Sequence, residues 1–250
     1  ARHVQELIRK VIKEPLITVY LESEVIETRG SCGHFNTRIM VKDKTAEISH
    51  GVAVVATGGE EYKPAEYHYG AHPRVVTQKE FEAMLATNPD EVKKWSSVIM
   101  IQCVGSREPE YLYCSRVCCT AAVKNSLKLK SLRSEARVSI LYRDMRTFGM
   151  REVYYREARQ KGVRFFQYHR EKKPEVTIDG DSLSVSVFDQ QLQTTVQLKA
   201  DLLVLSAAIR PSPRGQKLAE TFRLPLDQDG FFMEAHPKLR PLDFARAGFY

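Results

Sequence analysis

The sequence lacks any long apolar run. Its hydrophobic stretches are short and broken by charge. A membrane-spanning helix needs about 20 consecutive apolar residues, so no membrane span is expected. No secretory signal is visible at the start. There is no stripe of interleaved aromatic and basic residues, which argues against a nucleic-acid partner. Neither an internal repeat at solenoid spacing nor a low-complexity tract is present. The G-x-G-x-x-G fingerprint of dinucleotide binding is missing, and so are paired C-x2–4-C zinc knuckles. The chain also lacks an initiating Met. It opens inside a helical pattern and stops at Gly248-Phe249-Tyr250, which reads as the start of a strand. A piece of a longer protein is therefore expected.

What is present suffices for a core. The 250 residues are 43% hydrophobic, enough for one large domain or two ordinary ones. The net charge of +7 is moderate, with Asp and Glu interspersed throughout, as on a solvated basic surface. Five cysteines without secretory features point to a reducing, cytoplasmic compartment. There, clustered thiols more often bind metal or do redox chemistry than form disulfides.

Val4, Leu7, Ile8, Val11 and Ile12 predict an amphipathic helix over 2–13, stopped by Pro15. Strands are expected at 16–21 and 24–28, then an antiparallel hairpin or meander turning at Asp43-Lys44. Residues 51–59 read as a buried strand ending in glycines. Thr77-Gln-Lys-Glu80 is a capping box that starts a helix, and Asn88-Pro89 starts a short second one. These two helices read as a hinge between domains. From Val98 the pattern becomes strand 98–104, helix 116–131, strand 138–142, helix 149–161 and strand 163–168. That order predicts a parallel sheet. A meander follows at 175–178, 183–188 and 194–198, with a turn at Asp179-Gly180-Asp181. A buried strand at 201–206, a helix at 215–221 and a loop-rich tail complete the chain.

Four of the five cysteines, Cys103, Cys114, Cys118 and Cys119, fall within 17 positions. Their C-x10-C-x3-C-C spacing has no zinc-knuckle symmetry. Iron–sulfur clusters also use four thiolates, with more varied spacing. Adjacent cysteines reach different corners of a larger cluster more easily than one small ion. Three of the thiols fall at the start of the 116–131 helix, where the dipole favours anionic sulfur. Cys103 ends a strand, the place where ligands bind in open α/β sheets. The residues alone rank a cluster above zinc, and zinc above four buried thiols. Lys124, five residues after Cys119, reads equally as a cation beside a cofactor or as a surface lysine. Asp144, Arg143 and Arg146 stand where a nucleotide ribose or phosphate is read in related folds, but the missing glycines argue against NAD(P). Ala56-Thr57-Gly58-Gly59 suits close backbone approach to a ligand, although a plain strand-to-turn transition explains it as well. Cys32, beside His34, reads as a free thiol in a turn.

Several stretches resemble the iron–sulfur flavoprotein family that supplies the A-subunit of CoB–CoM heterodisulfide reductase. They are Val54-Val-Ala-Thr-Gly-Gly with Tyr62-Lys-Pro, Arg74-Val-Val-Thr-Gln, Ile101-Gln-Cys-Val-Gly-Ser-Arg, Tyr113-Cys-Ser-Arg-Val-Cys-Cys-Thr-Ala-Ala-Val-Lys-Asn, Tyr142-Arg-Asp-Met-Arg-Thr-Phe-Gly, Gly162-Val-Arg-Phe, Leu203-Val-Leu-Ser-Ala-Ala and Glu234-Ala-His-Pro-Lys-Leu-Arg-Pro. The resemblance implies an α/β fold of two nested thioredoxin-reductase-like, FAD/NAD(P)-binding-type domains with antiparallel β meanders. Residues 1–95 and 206–250 would form a discontinuous, incomplete FAD-binding domain, and 96–205 an inserted nucleotide-binding-like domain. It implies a [4Fe–4S] cluster on Cys103, Cys114, Cys118 and Cys119, Thr57 and Gly58 against FAD, and Lys124 as a flavin-proximal catalytic lysine. The family's first flavin loop would lie upstream of Ala1. The implied role is electron transfer between FAD and the cluster in an oxidoreductase complex that, in methanogens, bifurcates electrons. Implied partners are the other reductase subunits, an electron-donating hydrogenase, formate dehydrogenase or NADH dehydrogenase module, and ferredoxin. Two alternatives remain at this point: an NAD(P)H-dependent flavin disulfide reductase, and a zinc-stabilised interaction module.

Overall fold

The computed structural model describes residues 2–180 and 182–250. Ala1, and Asp181 of the expected turn, lie outside the described residues. In chain order the elements are α1 (Arg2–Lys13), β1 (Ser23–Ser31), β2 (His34–Val41), β3 (Lys44–His50), β4 (Gly59–Glu61), β5 (Val75–Thr77), α2 (Gln78–Thr87), α3 (Pro89–Val92), β6 (Ser97–Val104), α4 (Cys118–Leu132), β7 (Arg137–Tyr142), α5 (Glu152–Gln160), β8 (Arg164–Gln167), β9 (Glu175–Asp179), β10 (Ser182–Asp189), β11 (Thr194–Ala200), β12 (Leu202–Ala207), β13 (Ile209–Pro211) and α6 (Gly215–Phe222). Contacts divide the chain into two compact units, one of residues 1–59 with 211–250 and one of residues 60–210. Both boundaries expected from the sequence, near 95 and 206, fall inside the second unit.

The first unit holds the antiparallel meander β1-β2-β3. Phe35 alternates onto its buried face and packs edge-on against Phe249, ring centres 5.1 Å apart. Phe222, Leu224 and Phe244 complete this small core. The α1 helix forms as its periodicity predicts, but its apolar residues Val4, Leu7, Ile8, Val11 and Ile12 are exposed. Two expected strands turn out differently. Residues 16–21 are irregular and exposed, with Leu16 at 93%. Among the described residues, 51–58 carry one isolated bridge, Ala53 to Phe249, and leave Val52 and Val54 exposed. An apolar run becomes a buried strand only when neighbours pair its backbone and a layer covers it. Among the described residues, 16–21 has no pairing strand and 51–58 has one neighbour.

The second unit has three layers. Its middle is a five-stranded sheet in the order β5-β12-β6-β7-β8, parallel throughout. Every residue of β6 and β12 is buried, as expected for central strands covered on both faces. On one face Val98, Met100, Val138, Ile140, Leu202 and Val204 pack against Phe81, Val123 and Ala158 of the helices. On the other, Ile99, Ile101, Leu141, Leu203 and Leu205 pack against Leu183, Val185 and Leu198 of the β9-β10-β11 meander. The α2 helix begins in the predicted capping box, with Thr77 accepting from the Glu80 N–H and Glu80 accepting from the Thr77 N–H. It is not a hinge: Phe81, Leu85 and Val92 of α2 and α3 lie in this unit's core. No helix among the described residues is long and apolar enough to cross a membrane.

Candidate functional site

The site lies at the C-terminal end of the parallel sheet, in the second unit. Strand β6 departs from regular pairing just before it ends. Leu205 pairs with Ile101 and Ala207 with Val104, so Gln102 and Cys103 together oppose Ser206. This is a β-bulge, which re-aims a side chain at a strand end. Ile99, Ile101 and Val104 face the meander, and Cys103 is the inserted residue. Its backbone is left-handed, φ +63°, as are Gly105 at +73° and Arg107 at +59°. Three left-handed residues in five curl the chain away from the sheet. Such conformations cost free energy for non-glycine residues and cluster at functional sites.

The loop from Gly105 to Val117 then returns to the sheet end. The Tyr113 hydroxyl donates to the Ile209 carbonyl at 2.7 Å, and the Ile209 N–H donates to the Ser115 hydroxyl at 2.9 Å. This holds Cys114 in place, with the Arg116 N–H 3.4 Å from its sulfur. The α4 helix starts at Cys118 with no side-chain cap, which leaves its first-turn dipole for the sulfurs. The Cys118 sulfur lies 3.9 Å from the Ala207 carbonyl oxygen, and the Cys119 sulfur 3.7 Å from that of Asp144. Strands β6 and β12, the loop after β7 and helix α4 thus each bring a backbone or sulfur atom to one place.

The electrostatics show that the four thiols share it. Burial pushes Cys118 up to about 12, and the charges of Cys119, Cys103 and Cys114 add to the shift. Burial likewise raises Cys103, against the pull of Arg107 and Arg143. Burial raises Cys119, against the Arg146 backbone N–H. Three buried thiols that resist ionisation, Cys103, Cys118 and Cys119, are relieved by a bound multivalent cation, whose binding replaces their protons. Among the described residues, no three His, Cys, Asp or Glu side chains converge as ligands of a single metal ion.

Other candidates fall elsewhere. Lys124, half exposed on α4, pairs with Glu82 at 2.6 Å. Thr57 lines an 850 Å³ cavity of the first unit with Lys42, Arg214 and Lys217. Gly58 next to it has φ +65° and nothing within 4 Å of where a Cβ would stand, so its backbone is open to approach. Cys32 is exposed, and its sulfur comes within 3.1 Å of the Cβ position of Gly248. The sequence reading missed the surroundings of Cys103. Arg107 Nη1 is 4.0 Å from its sulfur, and the Tyr168 hydroxyl donates to the Gln102 carbonyl at 2.6 Å. It also missed Arg210, which donates to the Gly105 carbonyl. Arg107 could have been suspected from its place in the Cys-Val-Gly-Ser-Arg stretch. Arg210, far along the chain, carried no local signal.

No protein-family model matches the chain. Curated relatives do match, over nearly all of it. It is 34% identical over 253 residues to the A-subunit of the H2:CoB–CoM heterodisulfide,ferredoxin reductase of Methanothermobacter thermautotrophicus, covering 95% of this chain and 37% of that protein. It is 36% identical to the A-subunit of the ferredoxin:CoB–CoM heterodisulfide reductase of Methanosarcina acetivorans, covering 84% and 31%. It is 36% identical to the iron–sulfur A-subunit of the CoB–CoM heterodisulfide reductase of Methanocaldococcus jannaschii, covering 85% and 35%.

The chain is homologous to the A-subunit of heterodisulfide reductase.

It spans about a third of the length of these A-subunit relatives. The fold agrees with structures more distant in sequence. The flavoprotein disulfide reductase RclA of Escherichia coli matches with a TM-score of 0.52 at 13% identity, over 98% of this chain and 47% of that one. The thioredoxin reductase of Lactococcus lactis matches with a TM-score of 0.50 at 15% identity, over 91% and 64%. This A-subunit-like segment thus has the α/β fold of thioredoxin-reductase-like flavoproteins, with antiparallel meanders.

Proposed function

We propose that the chain is an electron-transfer segment of a heterodisulfide-reductase-type oxidoreductase. In this reading the second unit holds a [4Fe–4S] cluster on Cys103, Cys114, Cys118 and Cys119, and the first unit contributes to a FAD site. The observation that carries it is the placing of Cys103 at the bulged end of β6 beside Cys118 and Cys119 at the start of α4, whose sulfurs meet the Ala207 and Asp144 carbonyls, with Cys114 in the loop between. A cluster supplies reversible one-electron transfer when bound. The chain's own residues hold the sulfurs apart at fixed positions, bury Cys103 and Cys119 from water, and set arginines and backbone N–H groups beside them.

On the flavin side, the open backbone at Gly58 and the Thr57 side chain offer a strand-end contact for FAD. Lys124 is the candidate flavin-proximal cation, in competition with its pair to Glu82. Electrons would then pass between FAD and the cluster. The names of the relatives suggest the other reductase subunits and ferredoxin as partners, in a reducing, cytoplasmic compartment.

Anaerobic reconstitution with iron and sulfide tests this reading. The expected result is about four irons per chain, with a broad visible band that dithionite bleaches. Cys119→Ser should lose most of both. A colourless protein with one bound zinc would overturn the cluster, and iron content unchanged in Cys119→Ser would overturn the ligand set.

A further inference from the structure

One residue, Asp144, connects the surroundings of two of the cysteines. Asp144 follows the end of β7, and its Oδ2 lies 2.6 Å from Nη2 of Arg107 and 4.0 Å from Nη2 of Arg146. Arg107 in turn reaches the Cys103 sulfur, Nη1 to Sγ 4.0 Å. On the other side, the Asp144 carbonyl meets the Cys119 sulfur at 3.7 Å. Arg107 and Asp144, by side chain on one flank and backbone on the other, thus link a sulfur from the strand to a sulfur from the helix, with Arg146 beside them. Of the neighbouring charges, Arg143 also acts on Cys103 but is paired with Glu108, as is Lys173.

We propose that Arg107, Asp144 and Arg146 form a charge triad that sets the reduction potential of the four-cysteine site. The inference rests on the cluster reading above and extends it to residues that ligate nothing. Adding an electron makes a thiolate-bound cluster more negative. A fixed positive charge beside it therefore favours the reduced form, and a fixed negative charge opposes it. Arg107 is the stronger lever, because it is only 22% exposed and touches a sulfur. Asp144 damps both arginines, and its half-exposed carboxylate makes the damping sensitive to salt.

The triad makes predictions of opposite sign, which a purely structural role does not. The experiment is a redox titration, followed by EPR, of the reconstituted full chain and its variants. Arg107→Gln should lower the potential. The ratio of reduced to oxidised cluster at a fixed potential should fall about tenfold, which for a one-electron couple is 59 mV. Asp144→Asn should raise the potential by a smaller amount, and Arg107→Lys should stay near the parent value. Shifts in the same direction for Arg107→Gln and Asp144→Asn, or none in either with the cluster bound, would overturn the triad while leaving the cluster reading intact. A parent chain that takes up no iron and sulfide would remove the cluster reading and the triad with it.

Discussion

The guanidinium carbon of Arg210 sits 3.5 Å from the centre of the Tyr111 ring. The same group donates to the Tyr113 hydroxyl and the Gly105 carbonyl, both at 2.7 Å, and lies 4.8 Å from the Tyr62 ring centre. One side chain therefore clasps both ends of the loop between Cys103 and Cys114 to the end of the sheet.

Removing the clasp should loosen that loop before anything else. Arg210→Ala loses a desolvated cation–π contact and two charge-assisted hydrogen bonds, a cost of about 2 kcal/mol. Chemical denaturation should report the loss. Amide exchange should rise over residues 105–115 and stay unchanged in β7. Uniform exchange across the unit would show that Arg210 is not a local clasp.

Gly105→Ala should be harmful for two reasons at once. The backbone there is left-handed, and a Cβ would stand 2.4 Å from a carbon of the Tyr62 ring. Strain and overpacking together should cost about 2 to 4 kcal/mol. Gly105→Ala combined with Tyr62→Ala should show positive coupling in a double-mutant cycle, because the second change removes the clash. Strict additivity would count against the contact.

Glu108 should make stability depend on pH. Burial alone would raise its carboxyl, but Lys173 at 2.8 Å and the Arg143 ion pair outweigh burial and lower it. A carboxylate lowered in this way stabilises the fold above its unfolded pKa of about 4.3. That contribution is lost as pH falls through the lower folded value. Glu108→Gln should therefore cost about 3 kcal/mol at neutral pH, since it leaves the buried Arg143 unpaired. The difference should vanish in acid. A penalty that persists well below pH 4 would mean that packing, not charge, is lost.

Thr77→Ala should remove the α2 cap and the 3.0 Å hydrogen bond from Thr77 Oγ1 to Glu61. A loss of about 1 to 2 kcal/mol is expected, readable as a lower denaturation midpoint.

Local chemistry made much of this legible in the sequence. The capping box at Thr77, the Pro89 helix start and the alternation of β2 and β10 are local signals, and each element formed where expected. The parallel core was readable from the strand–helix order after Val98. Residues 16–21 and 51–58 were misread because apolar content predicts burial only when partners exist, and partners are a property of the whole fold. The cysteine spacing announced a site, but its surroundings are long-range. Arg210 reaches the loop from a distant position that no local pattern marks, and Asp144, though singled out by its place after a strand, carries no local sign that it pairs with Arg107. The bulge at Gln102 and Cys103 likewise exists only relative to β12.

Strand β12 arrives last but lies second in the sheet, between β5 and β6. Its partner β5 was made near the start of the unit, so the sheet cannot close until almost the whole unit has left the ribosome. Non-local closure of this kind is slow. Ala207, at the end of β12, supplies the carbonyl beside the Cys118 sulfur. The sulfur pocket is therefore incomplete on any nascent chain that has not yet reached residue 207. On the proposed cluster reading, loading would follow synthesis of the sheet, and delivery to a finished thiol site is the timing that the topology would impose.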